Sequence, residues 1–145
     1  PRHADAAQLL KSLDAERRRA VPANLATAKG FHQRGQIAEA ERAYRAILEA
    51  EPKHADAMYL LGVALLQQHK YEAAEQQLRQ AIGLQPAVAI LHYNRGIALQ
   101  QLGRHQEALS SFDSALALKP DYSLALAQRN SILKTAPHIG LDQSL

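Results

Sequence analysis

Three prolines, Pro52, Pro86 and Pro120, stand 34 residues apart, and the interval is not theirs alone. Gly62 and Gly96 keep it, with Ala28 in the matching place one unit earlier. Ala40, Ala74 and Ala108 form a second column, and Tyr44, Leu78 and Phe112 a third. A fixed period of about 20–50 residues marks a repeat array, in which each unit buries its apolar face only by stacking on its neighbours. Arrays of this kind usually bind other proteins, which weighs against an enzyme.

Each unit reads as two antiparallel helices. Ala and Leu, both strong helix formers, supply much of the 47% hydrophobic content, and β-branched residues are too few for a sheet. In the second unit the spacing predicts a first helix over 55–68, with Met58, Leu61, Gly62 and Leu65 on one face. A second helix is predicted over 71–84, with Ala74, Leu78, Ala81 and Ile82 as its stripe. Pro86 stops it, because proline has no N–H to donate and pushes its predecessor out of the α region. The third unit repeats the pattern with His92, Gly96 and Leu99, then Ala108, Phe112, Ala115 and Leu116. Small residues at the crossing let two axes approach closely, so Gly62 is expected against Ala74 and Gly96 against Ala108. Gly35 and Gly103 suit left-handed helix ends between the paired helices, where the second unit has His69.

These columns resemble the tetratricopeptide repeat (TPR). Leu61, Gly62, Leu65, Ala74, Leu78, Ala81 and Pro86 carry the likeness in the second unit. Gly96, Leu99, Ala108, Phe112, Ala115 and Pro120 carry it in the third, and Ala28, Phe31, Ala40, Tyr44, Ile47 and Pro52 more weakly in the first. The resemblance implies an all-α fold, a right-handed superhelical α-solenoid of helix-turn-helix repeats. It divides the chain into a degenerate half-repeat helix (1–20), three repeats (21–54, 55–88 and 89–122), a capping helix (123–135) and a flexible tail or linker (136–145). RNA-binding helical repeats have a slightly longer period and lack this Gly–Ala–Pro set, so they fit less well. Asn24 and His92 stand where a large apolar residue is usual. Arg95 takes the column of Leu61, so its stem is expected to pack while its head reaches water.

At the N-terminus, Arg2-His3-Ala4-Asp5-Ala6 echoes Arg104-His105-Gln106-Glu107-Ala108, and Ala6, Leu10 and Leu13 match Ala108, Phe112 and Ala115. The chain therefore reads as starting within a second helix, either a half-repeat cap or a cut from a longer protein. In the capping helix Leu126, Asn130 and Leu133 are expected to continue the inward stripe.

Little in the chain suggests chemistry. With no cysteine there is neither a disulfide framework nor a thiolate metal site. Of the seven histidines, His32, His54, His69, His92 and His105 fall in different columns, and no two stand at i, i+4 on one helix, so packing or surface roles are expected and no metal or other cofactor. No phosphate-binding Gly-rich loop or nucleophile turn is present, and Glu39 and Glu41 read as part of a solvated outer face. No catalysis is expected. Net charge is +3, of which residues 1–20 hold +2, largely through Arg17–Arg19; this reads as a solvated helix end, and no nucleic-acid partner is expected. No apolar run reaches the ~20 residues of a membrane span, so no membrane insertion is expected. No leader is visible; the compartment stays open, with the cytoplasm favoured.

In the TPR architecture the first helices line the concave side. Carried over by column, the expected groove holds Leu25, Tyr59 and Tyr93, then Lys29, Val63, Ile97 and Ser131, then His32, Leu66 and Gln100. A glutamine ladder, Gln33, Gln67 and Gln101, runs beside them, and Asn94 flanks Tyr93. The apolar and aromatic members turn away from the Gly62/Gly96 face, as a patch for a partner would, and glutamine amides can pair with a peptide backbone. A protein or peptide ligand is the expected partner, in a scaffold or adaptor role. Of the residues that clamp chaperone C-terminal carboxylates in some TPR domains, only Lys29 and Asn94 are matched. The Asn ladder of TPR-bearing sugar transferases is matched by Asn94 alone, with Ala26 and Leu60 in its other places. Two other readings remain from the sequence. The chain could be the TPR arm of a larger bacterial enzyme, such as a glycosyltransferase or other transferase, recruiting substrate or partner. Its end helices or groove patch could pair copies into a homo-oligomer.

Overall fold

A computed structural model of the chain describes residues 5–13 and 24–135. Those residues form helices and turns, with no strand among them. Helix α1 covers 5–13. The array proper follows as α2 (Leu25–Gln33), α3 (Ile37–Ala50), α4 (Ala55–Gln67), α5 (Tyr71–Leu84), α6 (Ala89–Gln101), α7 (His105–Leu118) and α8 (Ser123–Thr135). From α2 to α8 each helix packs on the next in sequence, and α4 also meets α6 directly, as in an α-solenoid. Arg17–Arg19 and the tail 136–145 lie outside the described residues.

The turns inside the pairs are near-copies of one another. After α2, α4 and α6 one residue adopts positive φ: Gly35 (77°), His69 (61°) and Gly103 (76°). The next residue's N–H (Gln36, Lys70 or Arg104) then donates back to the carbonyl of Phe31, Leu65 or Leu99, at 2.9 Å in each case. The positive-φ residue itself donates to His32, Leu66 or Gln100. These two bonds make a Schellman cap, which satisfies last-turn carbonyls and reverses the chain. Between pairs, the residue before each repeat proline leaves the α region, with ψ of 83° at Glu51, 75° at Gln85 and 87° at Lys119. A following proline disfavours that region for its predecessor.

The core is a run of small crossings. Ala40, Ala74 and Ala108 are fully buried, as are Tyr44, Leu78 and Phe112. A Cβ placed on Gly62 would lie 2.8 Å from Leu78, and one on Gly96 2.6 Å from Phe112. The glycines therefore make room for the large side chain of the partner helix, not for Ala74 and Ala108 as the spacing had suggested. One helical turn separates the two candidates, and the side chain that reaches across is the longer one.

Two departures from the repeat pattern find partners, and one further expectation gives way. Asn24 is the N-cap of α2, and its Oδ1 accepts from the Thr27 N–H at 2.8 Å. Arg95 keeps a quarter of its side chain exposed, and its Nε also donates at 3.2 Å to Glu75, which is only 1% exposed. Glu41 is not on a freely solvated face, because Gln68, Lys70 and Arg45 all donate to it. Partial burial alone would raise its pKa, but these hydrogen bonds outweigh that and hold the carboxyl at about 2. Glu41–Lys70, Glu75–Arg95 and Asp113–Arg129 thus tie successive pairs together along the array.

The capping helix also differs from its expected packing. α8 buries Ala125 and Ile132 against the preceding pair, in the columns of Leu91 and Ala98. Leu126, Asn130 and Leu133 do not point inward as a set: Leu126 and Asn130 are exposed and Leu133 half-buried. That stripe faces where a second helix lies in each complete pair.

Candidate functional site

The candidate residues sit on α2, α4, α6 and α8, and neighbouring helices bring several of them into contact. His32 bridges two pairs. Its Nε2 donates to the Gln67 amide oxygen on α4, so its Nδ1 is left to accept from the Tyr44 hydroxyl at 2.9 Å. Tyr59 on α4 packs on the core around Leu78; burial raises its pKa, and the neighbouring Asn94 on α6 partly offsets that. Tyr93 stacks at 5.9 Å on Phe112 and at 5.2 Å on Tyr122, and burial raises its pKa too. Five of the candidates, His32, Gln67, Tyr59, Asn94 and Tyr93, therefore spend part of their capacity holding the array.

The others are more open. Lys29, Gln33, Gln67, Gln101 and Ser131 are exposed. Leu25, Val63, Leu66, Ile97 and Gln100 are half-buried. Leu25 and Leu66 pack on the core around Tyr44, and Ile97 on the core around Phe112. Lys29, His32, Gln33, Tyr44 and Leu60 share the lining of one shallow cleft, which puts a cation and two amide or imidazole groups beside apolar carbon.

Two large apolar side chains on these helices were missed. Ile90 is 40% exposed and Leu124 57%. Ile90 precedes Tyr93 and Ile97 by three and seven residues, so it extends their helix face by one turn. Leu124 precedes Ser131 by seven and does the same on α8. Reading each column one turn earlier would have found both; the aspartate at Asp56 in the second unit hides the pattern. Among the described residues no group of His, Cys, Asp and Glu could hold a metal ion, and no helix is long and apolar enough to cross a membrane.

The family model for the tetratricopeptide repeat matches residues 25–75 and 64–123, which takes in every paired helix from α2 to α7. The chain belongs to the tetratricopeptide repeat family. Solved TPR structures share the fold. The second TPR domain of human RPAP3, in complex with the HSP70 peptide SGPTIEEVD, is 29% identical, with a TM-score of 0.71 over 74% of this chain and 89% of that one. The O-GlcNAc transferase of Thermobaculum terrenum, as its K341M mutant, is 32% identical with a TM-score of 0.66; the match covers 83% of this chain and 22% of the transferase. MamA, at 22% identity and a TM-score of 0.75 over 88% of this chain and 72% of its own, shares the fold alone. No curated protein matches the sequence.

Proposed function

We propose that the first-helix face of this TPR array is a groove that holds a peptide or partner helix with apolar anchors, giving the protein an adaptor role. The observation that carries this is an apolar ladder left partly open on a surface the array does not need for closure: Val63 and Ile97 half-buried, Ile90 and Leu124 exposed. Singly exposed apolar residues are ordinary, but a row at helical and repeat spacing is what a docking face provides. Lys29 and the exposed amides of Gln33 and Gln101 flank the row and can pair with a ligand's carboxylates and backbone. The RPAP3 domain, which binds an HSP70 peptide, supports the use of this fold for peptides. The chaperone type of ligand does not carry over, since Leu25, Leu60 and Tyr93 fill columns that a carboxylate clamp needs polar.

The test is to select peptides on the full chain from a displayed library and map the binders by amide chemical shifts. Shifts centred on Val63, Ile97 and Ile90, with binding lost in an Ile90→Glu/Val63→Glu variant of unchanged helicity, are expected. Shifts centred on the outer positions Arg42 and Arg79 would place binding elsewhere.

A second reading has one observation behind it, the 32% identity to the O-GlcNAc transferase. On that reading the array is the TPR arm of a larger bacterial enzyme and recruits its substrate or partner. The complete reading frame decides it: a stop codon directly after Leu145 removes the idea, and a transferase domain downstream supports it.

A further inference from the structure

Away from the first-helix groove, the second and third pairs each carry a cleft, one repeat apart and unlike in chemistry. In the second pair Met58, Leu61, Leu48 and Pro52 line it, together with the long amides Gln77 and Gln80. In the third pair the columns of Met58 and Leu61 hold His92 and Arg95 on α6, and those of Gln76, Gln77 and Gln80 hold Ser110, Ser111 and Ser114 on α7. Hydrogen-bonding groups thus replace aliphatic carbon on one helix, and short hydroxyl side chains replace long amides on the other. The result is a cleft of about 290 Å³ lined by Arg95, His92, Glu107 and the three serines. Its two helices lie inside the array, packed on α5 and α8.

Arg95 is the strongest donor there. Glu75, itself buried, takes its Nε–H at 3.2 Å, which fixes the guanidinium. Four further N–H groups remain on the terminal nitrogens, a fork that matches two oxygens of one anion. Ser111 is 5% exposed and Ser110 open to solvent. The Ser114 hydroxyl donates to the Ser110 carbonyl at 3.1 Å, a bond within the helix that rotation of the hydroxyl exchanges for a ligand oxygen. His92 spends Nε2 on the Pro86 carbonyl. Glu107, the one carboxylate on the lining, is itself gripped by Arg104, from Nε at 2.9 Å and Nη2 at 2.7 Å. Those hydrogen bonds lower the Glu107 pKa, and the charges of Arg104, Arg95 and Arg79 lower it further.

We propose that this cleft is a second binding site, for the phosphate group of a phosphorylated ligand. The Arg95 fork takes two phosphate oxygens, and the α7 hydroxyls take the others. A carboxylate has only the two oxygens that the fork engages, so it would leave the hydroxyls without a ligand partner. The volume leaves room for the group that carries the phosphate. Around the cleft Arg79, Arg95 and Arg104 are balanced by Glu72, Glu75 and Glu107, so attraction is short-ranged and rests on directed hydrogen bonds. A dissociation constant on the order of 1 mM is expected.

Titration of the isotope-labelled 145-residue chain with O-phosphoserine, inorganic phosphate and glutamate at constant ionic strength tests this, read on amide and arginine Nε resonances. Saturable shifts at Ser110, Ser111, Ser114 and the Arg95 Nε are expected with the two phosphates, and none there with glutamate. A phosphoserine tripeptide that binds more tightly than glucose 6-phosphate assigns the phosphate to a protein ligand, and the reverse order to a small metabolite; the cleft is a phosphate site in both cases. Ser114→Gln, which restores the second pair's residue, should weaken O-phosphoserine binding about ten-fold at unchanged melting temperature. Arg95→Lys keeps a cation for Glu75 but removes the fork, and should weaken it as much. Absence of a saturable shift up to about 20 mM overturns the proposal. So do shifts as large with glutamate, shifts centred on Val63 and Ile97, or affinity unchanged in both variants.

Discussion

The second and third helix pairs share their period, caps and crossing, yet they fill one pair of columns in opposite ways. Where α4 has Met58 and Leu61, both buried, α6 has His92 and Arg95. The second pair closes its outer seam with apolar carbon. The third closes it with a histidine whose Nε2 donates to the Pro86 carbonyl at 2.8 Å and an arginine on a buried glutamate. The repeat therefore dictates the columns where backbones cross, Gly62/Gly96 under Leu78/Phe112, and leaves the seam free as long as each buried group is satisfied. An ion pair and an aliphatic pair are interchangeable there only as whole sets.

The sharpest way to break the comparison is Arg95→Leu, which copies the second pair's residue into the third. It leaves the Glu75 carboxylate buried without its cation and should cost about 3 kcal/mol in chemical denaturation. Adding Glu75→Leu should recover most of that loss. A double variant no more stable than Arg95→Leu would mean the two seams are not equivalent.

The crossings come next. Gly96→Ala meets the rigid ring of Phe112 and Gly62→Ala the more adaptable Leu78. Overpacking should cost about 2 kcal/mol at Gly96 and about 1 at Gly62, net of alanine's better helix propensity. Equal melting temperatures for the two variants would contradict the ring's rigidity.

The first seam sharpens the contrast through pH. Glu41 titrates at about 2 in the folded chain against an ordinary 4.5, so the unfolded state binds the proton first. Its stabilisation is whole above pH 4.5 and drains away as pH falls toward 2. With Lys70 and Arg45 about half exposed, solvent screening leaves a contribution of about 1–2 kcal/mol. Stability profiles of wild type and Glu41→Gln should converge over that window.

The smallest effect belongs to the turns. His69 holds at φ 61° what Gly35 and Gly103 hold without a side chain. His69→Gly should gain about 0.5–1 kcal/mol, reduced by loss of its hydrogen bond to Tyr71, while Gly103→Ala should lose about 1. A loss of stability in His69→Gly would show that the Tyr71 bond outweighs backbone strain.

Much of this molecule was legible from residue spacing because a solenoid is built from local contacts. The predicted 71–84 helix is α5 residue for residue, and the left-handed caps fall at Gly35, His69 and Gly103 as the turn chemistry required. Contacts between units were harder to read. That Arg95 would find Glu75 twenty residues away depends on where two helices come to rest. Of the candidate site, the helices and faces were legible. The His32–Gln67 bond and the packing of Tyr59 on the core around Leu78, which occupy those residues across neighbouring helices, were not, and Ile90 and Leu124 went unseen.

By itself, the sequence determined the period, the helix pairing, the turn geometry and the family, since each follows from propensity and sterics over a few residues repeated at 34. Tertiary packing settled which polar side chains are spent inside the array and which apolar ones stay open on the first-helix face. Those outcomes turn on side-chain reach between helices distant in sequence, where a difference of one helical turn exchanges a buried partner for solvent.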